Sequence, residues 1–496
     1  MKNFFTSLLL LVLVFLCIFL SLEVCFYSSE DDIGMSFISS FRNSRFFSAI
    51  ANHDSAYSYP KESLATPRKY VVSSSGSART CIYNSDESYP RLNDAIRPVL
   101  KEWLSSDAHI LSQKTLTADE FRSFLSEDVT YIYVNYAVSY TPTLFSRILG
   151  IPSGMRLSEL QSVRDFFIMP DFEKYEKDVL EIFALDDTSG TVHQFRLQTE
   201  LAATALSAIA NSSSVSEDSF CNFALDMNLD KPTAFGGNTP TTLLAPYVVI
   251  LGSFETQLTY PVLESKNDFI HSTDTFNAIV SAFGYNPSSI RKRVYEDYTV
   301  FIENDSTLKL WNNGLIEYSA VGDAGLSLID TTDTYEELNA AIGFAEKIWQ
   351  IALPDRPFDA SVTSNLTDDS SRHLFTLDYY VGGVPVHIDI RDDNLAFAPI
   401  ENAASIEIEN GVLKSFRLFI RSYHETGETY VMPSSFSAID MAYAATAENV
   451  IPVTIGDLYI CYSEEANSSF SSPVWAYTVF DKTYLIKELS YENNAD

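Results

Sequence analysis

The residue types that most often bind metals or transfer protons do not fall into a site-defining pattern in this chain. The seven histidines, at positions 53, 109, 193, 271, 373, 387 and 424, show no HExxH or similar metal-ligand spacing. His387 and Asp389 would share one face of a strand, a spacing more typical of a surface pair than of a metal site. Asp226-Met-Asn-Leu-Asp230 begins like a calcium loop, but Lys231 stands where the loop needs glycine and Gly237 where it needs glutamate.

Motifs for nucleophiles, phosphates and dinucleotides are also missing from the sequence, which contains no GxSxG, Walker A or GxGxxG segment. The 66 acidic residues are numerous enough that a glycosidase-like carboxylate pair stays open. We therefore predict a protein that is not an enzyme, with no catalytic residue, no metal and no cofactor. The five cysteines form no CxxC pair and are too scattered for a disulfide framework, so buried free thiols are expected, with room for one disulfide.

The charge balance restricts the partners that the protein can bind. The formal net charge is -33, which repels phosphate backbones and anionic lipid headgroups and so disfavours nucleic acid and peripheral lipid binding. Arg291-Lys292-Arg293 is the one basic cluster outside the N-terminal segment. It is typical of a solvated strand start, and the alternative is a contact for an acidic partner.

The N-terminal segment predicts where the rest of the chain resides. Phe4–Leu22 is a run of 19 residues without a charge, which is long enough to cross a bilayer as one helix. Lys2 precedes this run and Glu23 follows it, so the N-terminus should be cytoplasmic and the bulk of the chain extracytoplasmic. A cleaved signal peptide and a lipoprotein signal at Cys25 are the alternatives, but the run is long for a signal and bulky residues precede both cleavage sites.

Behind this predicted single transmembrane helix, helices interleaved with mostly antiparallel strands predict an α+β fold of about three domains. The stretch 231–240, with two prolines and two glycines, is predicted to be a linker. The predicted division is an anchor (1–27), a Ser-rich stalk (28–68), a first α+β domain (69–230), a central α+β domain (241–325) and a C-terminal α+β domain (326–496).

Local signals predict several individual elements. Apolar residues at helical spacing predict a helix over 89–104, which Pro98 should kink or shorten. Capping-box patterns open helices at Thr117 and Thr334. Hairpins are predicted from 178–185 to 191–197, and around Asn313-Gly314.

Several segments of the chain resemble the YycH family, and they occur in the same order as in that family. They are Val129–Val138 with Tyr140–Phe145, Ile279–Arg291, Tyr298-Thr-Val, Leu308–Tyr318, Phe375–Val386, Asp457–Tyr462 and Pro473–Trp475. The last three also resemble the C-terminal domain of the paralogue YycI. The sequence departs from the family pattern in its long Ser-rich stalk, its acidity and Val384, where an aromatic residue is frequent.

The resemblance implies a membrane-anchored accessory protein that associates with a YycI-like protein and with a sensor histidine kinase of the WalK type, and modulates signalling in cell-wall control. It makes the anchor helix a candidate kinase contact as well as an anchor, through Phe4, Ser7, Leu11, Phe15, Cys17 and Leu22. Two other functions stay open from the sequence. One is an anchored ligand-binding module, and the other is a cell-wall hydrolase.

Overall fold

The protein is described here from a computed structural model. The structure describes residues 66–74, 79–84, 86–125, 129–151, 160–171, 176–186, 191–212, 220–231, 242–252, 258–267, 269, 272–364, 371–391, 397–446, 453–465, 469–479 and 482–486. The predicted anchor and all but the end of the predicted stalk lie outside these ranges. Within them, no helix is both long enough and apolar enough to cross a membrane.

The described residues form helices and strands in an interleaved order, which confirms the α+β class. The helices are α1 (Tyr89–Leu104), α2 (Ala118–Leu125), α3 (Pro142–Ile148), α4 (Ala202–Ser212), α5 (Thr273–Ala282), α6 (Thr334–Ala352) and α7 (Ser435–Thr446). The strands of the first half are β1 (Lys69–Ser73), β2 (Arg79–Tyr83), β3 (His109–Leu116), β4 (Tyr131–Tyr140), β5 (Val163–Pro170), β6 (Val179–Asp186), β7 (Thr191–Gln198), β8 (Phe220–Phe223), β9 (Thr242–Leu244), β10 (Val249–Leu251) and β11 (Thr259–Lys266). Those of the second half are β12 (Arg291–Val294), β13 (Tyr298–Glu303), β14 (Ser306–Trp311), β15 (Leu315–Ala320), β16 (Leu326–Ser327), β17 (Ala360–Val362), β18 (Arg372–Val381), β19 (Val384–Asp389), β20 (Ala404–Glu409), β21 (Val412–Phe419), β22 (Ser422–Val431), β23 (Val453–Glu465), β24 (Phe470–Val479) and β25 (Lys482–Ile486).

Among the described residues, nine strands form the first sheet, in the order β10-β8-β2-β1-β4-β5-β6-β7-β3, and every neighbouring pair is antiparallel. Its strands are rich in β-branched and aromatic residues, which pack well on a pleated surface. Trp103 of α1 lies against one face of this sheet, with ring centroids 5.4 Å from Phe166 and 5.1 Å from Phe195. The large apolar face of α1 is therefore buried on the sheet.

The second sheet contains sixteen of the described strands, and its main path is β12-β13-β14-β15-β21-β20-β18-β19-β23-β24-β11-β22. Only the β19–β23 and β9–β23 pairs are parallel among its described pairings, so the prediction of mostly antiparallel sheets is confirmed. Helices α5 and α6 cover one face near the β12 end. Phe283, at the end of α5, packs against Phe344 of α6 and Phe416 of β21 with ring centroids 5.1 and 5.5 Å apart.

The two sheets share one hydrophobic core. The first sheet contributes Phe167 and Phe183 to this core, and the second contributes Ile455 and Trp475. Helix α2 adds Phe121, which contacts both phenylalanines. The proposed linker falls almost wholly outside the described residues, and the predicted domain limits stay a prediction.

Several local predictions are confirmed, and two are wrong in detail. The β6–β7 and β14–β15 hairpins form as expected, and Gly314 takes the positive φ (94°) that the second turn requires. Pro98 does not shorten α1, because this residue is exposed and water can satisfy the freed carbonyl. The capping box at Thr117 forms with Glu120, but α6 is capped by Asp333, one residue before the predicted Thr334.

Candidate functional site

The predicted partner-contact residues Arg291, Lys292 and Arg293 form most of β12, the outermost strand at one end of the second sheet. All four residues of this strand are exposed, including Val294, which is 70% exposed. The structure therefore places these residues in a solvated strand, and a partner contact at this strand stays a prediction. The sequence did not indicate that this strand would lie at the edge of the sheet, because its neighbours in the sheet are set by pairing and not by local composition.

The side chains of β12 alternate between the two faces of the sheet. Arg291 and Arg293 pair with Ile302 and Val300, on the face without packed helices, which we call the open face. Lys292 and Val294 point to the face that α5 and α6 cover. The Tyr295 N–H donates to the Tyr298 carbonyl, which makes 291, 293 and 295 the hydrogen-bonded positions of the β12–β13 pair. The backbone N–H and C=O groups of Lys292 and Val294 therefore point away from the sheet.

An aromatic row continues the open face from the edge toward the centre of the sheet. The rings of Tyr295 and Tyr298 stack 4.7 Å apart, and Tyr298 lies 4.4 Å from Trp311 on the next strand. The Lys309 ammonium lies over both Tyr298 and Trp311, at 5.9 and 5.7 Å from their centroids. Tyr295 is 46% exposed, so the row ends in an aromatic ring beside the two arginines.

A second feature, a cavity of about 190 Å³, lies between the two sheets. Its polar wall is centred on buried Asp165, which accepts hydrogen bonds from Tyr133 Oη (2.7 Å), Asn135 Nδ2 (2.6 Å) and Arg164 Nε (2.9 Å). Tyr247 contributes an aromatic ring to the apolar wall. The sequence did not indicate this site, because Asp165 is one acidic residue among 66 and its partners come from other strands.

Charged groups from both sheets meet at the rim of this cavity. Asp457 of β23 pairs with Arg68 and, at 3.2 Å, with Lys69 Nζ of β1. Burial and the neighbouring charge of Arg68 lower the pKa of Lys69 from 10.5 to about 7. These ion pairs connect the first sheet to the second next to the hydrophobic core that the two sheets share.

The remaining residues singled out in the sequence have structural partners or lie elsewhere. Asp226 and Asp230, of the incomplete calcium loop, pair with Arg79 and Arg122. In the described part of the chain no three histidine, cysteine or carboxylate residues are grouped to hold a metal ion. As predicted, three cysteines are buried free thiols, namely Cys81, Cys221 and Cys461. The anchor residues Phe4, Ser7, Leu11, Phe15, Cys17 and Leu22 lie outside the described residues.

These features define an α+β protein with two sheets that share a hydrophobic core. One edge of the second sheet is formed by an exposed strand with three consecutive basic residues. The crystal structure of YycH from Bacillus subtilis has a similar fold, with a TM-score of 0.53 and 14% sequence identity, over 87% of this chain and 98% of that one. At this identity the likeness shows a YycH-like fold alone. No family sequence model matches the chain, and no curated protein sequence matches it.

Proposed function

We propose that this chain is a regulator of a sensor histidine kinase of the WalK type, acting through protein–protein contacts together with a YycI-like partner. The observation that carries the proposal is the YycH-like fold, which extends over 87% of the chain and nearly all of the known structure. In this proposal the protein resides at the cell membrane, with its N-terminus cytoplasmic and its bulk extracytoplasmic. It performs no catalysis.

The physical mechanism couples binding to the equilibrium between kinase states. Residues 4–22 cross the membrane beside the transmembrane helices of the kinase, where association depends on van der Waals fit and a few polar contacts such as Ser7 and Cys17. The outer part of the chain contacts the partners outside the membrane. Binding shifts the kinase toward one state if the complex favours that state by a few kcal/mol.

Affinity purification of the full-length protein from detergent-solubilised membranes, with mass spectrometry of the co-purified proteins, tests this proposal. We expect a sensor histidine kinase to be enriched over a control in which an unrelated single-pass protein carries the same tag. A second variant replaces residues 4–22 with an unrelated membrane helix, and kinase-dependent transcription should then lose its response to the protein. Absence of any kinase from the purified complex, or an unchanged response, would argue against the proposal.

The cavity between the sheets favours a second candidate function, an anchored ligand-binding module. Its volume of about 190 Å³ and its convergent polar groups suit a small polar molecule. The polar groups around Asp165 already bond to one another, however, so a ligand would have to compete with these bonds. Native mass spectrometry of the purified full-length protein distinguishes the two functions, since a resident molecule would add mass that denaturation releases. The hydrolase alternative is tested by zymography on peptidoglycan, where we expect no clearing.

A further inference from the structure

Strand β12 leaves one side of the second sheet unpaired among the described residues. The outward backbone groups of Lys292 and Val294 are the donors and acceptors that would continue the ladder, and both residues are exposed. Such an edge is a template for an added strand from another chain. Exposed apolar surface accompanies it, since Val294 and Tyr295 are among the most exposed large apolar residues described.

The charge at this edge is opposite to that of the chain as a whole. Two other exposed arginines lie beside carboxylates, Arg372 beside Glu407 and Arg391 beside Asp389. Arg291 and Arg293 are exposed, and neither makes an ion pair with any residue that the structure describes. Two cations on one face of a strand are thus left unneutralised in a chain with twice as many acidic as basic residues. Charge complementarity then favours an acidic partner.

We propose that β12 binds an acidic, extended segment of a partner protein, which adds to the second sheet as one further strand. The proposal deepens the function proposed above, because a regulator that acts by contact needs a contact surface, but its test requires no kinase. The alternation along β12 also specifies the partner. Acidic side chains would lie beside Arg291 and Arg293 on the open face, and apolar side chains would lie beside Val294 on the other face.

A synthetic probe tests this inference directly. The probe is a fluorescein-labelled ten-residue peptide of alternating Glu and Val, and the matched control is the same peptide with Lys in place of Glu. Fluorescence anisotropy with the full-length protein in detergent should show saturable binding of the acidic probe and none of the basic one. Raising the salt from about 50 mM to about 500 mM should weaken binding several-fold, since the contacts are exposed. Equal binding of both peptides, or no binding of either, would overturn the inference.

Two variants test separately the contribution of the arginine charges and that of the outward backbone hydrogen bonds to probe binding. Arg291→Glu/Arg293→Glu should weaken probe binding by about tenfold or more, whereas Arg91→Glu/Lys482→Glu, which changes the net charge equally at exposed positions elsewhere, should not. Val294→Pro removes an outward N–H without changing any charge, and a sheet edge tolerates proline there. We expect this variant to weaken binding by a similar factor while its circular dichroism stays unchanged. Unaltered affinity in Val294→Pro would rule out strand addition, and unaltered affinity in the double arginine variant would rule out the acidic partner.

Discussion

In addition to the apolar contacts of α6, one buried carboxyl group, that of Glu337, connects this helix to the second sheet. Its side chain is 1% exposed, and its two oxygens accept from the backbone N–H of Gly411 (2.7 Å) and bond to His373 Nδ1 (2.6 Å). Gly411 lies in the β20–β21 turn with φ of 78°, and His373 lies on β18. One side chain thus joins a helix to two separate places in the sheet.

Replacing Glu337 with alanine should be strongly destabilising. The substitution leaves the Gly411 N–H and the His373 ring buried without these bonds, and each orphaned group costs about 1–3 kcal/mol. The neighbouring Glu336 is the matched control, because its side chain is 44% exposed and lies 3.5 Å from Arg147. Glu336→Ala should cost under about 1 kcal/mol.

Urea unfolding of both variants, combined with native-state hydrogen exchange of α6 peptides, measures the difference. Unfolding of a chain of this size need not be two-state, so hydrogen exchange provides the local opening free energy of α6 independently. We expect protection of α6 and of the β20–β21 turn to fall together in Glu337→Ala and to persist in Glu336→Ala. If the two variants lose the same stability, the carboxylate does not connect the helix to the sheet as described.

Three further predictions concern single positions. Because the pKa of Lys69 is about 7 when folded and 10.5 when unfolded, the unfolded chain binds more protons between these values. Stability should therefore rise with pH across this window by up to ~1.4 kcal/mol per unit, and Lys69→Met should remove that rise in urea titrations at pH 7 and 9. Gly314→Ala should lower the melting temperature far more than Gly322→Ala. Both glycines have positive φ, but a Cβ at 314 would lie 2.7 Å from a backbone oxygen and one at 322 would meet open space. Burial raises the pKa of Cys461, so peptide-resolved alkylation by iodoacetamide should modify it only after unfolding, and rapid modification of the native protein would contradict its placement.

The elements that could be predicted from the sequence are those whose signals are local. The Asn313-Gly314 turn and the apolar stripe of α1 are encoded within a few residues of one another, and both form as expected. The sequence does not distinguish the true N-cap of α6, because Asp333 and Thr334 are both residue types that favour this position. Glu337, which a capping box at Thr334 would use at the helix terminus, instead accepts a hydrogen bond from Gly411 in the β20–β21 turn.

The pairing of distant segments could not be predicted in this way. Strand β15 lies beside β21, about a hundred positions later, and Lys69 meets Asp457 across 388 positions. In a chain with 66 acidic residues, nothing local marks which carboxylate will be the buried partner of a particular cation. Residue patterns therefore predicted the α+β class and a list of elements, but not which strands would be neighbours in the sheets.

The cations of β12 have an alternative explanation, since charged residues on edge strands also protect proteins from edge-to-edge aggregation. The two roles are compatible, because like charges directly opposite one another are destabilising and unlike charges are stabilising. A second copy of β12 would bring arginine and lysine opposite the same residues. An acidic strand would instead bring carboxylates opposite Arg291 and Arg293, and it would leave both arginines on the open face, still partly hydrated. The same side chains that prevent self-association would therefore select an acidic partner. Binding of the Glu–Val probe and not of the Lys–Val probe would show partner selection, whereas binding of neither would leave protection against aggregation as the role of these charges.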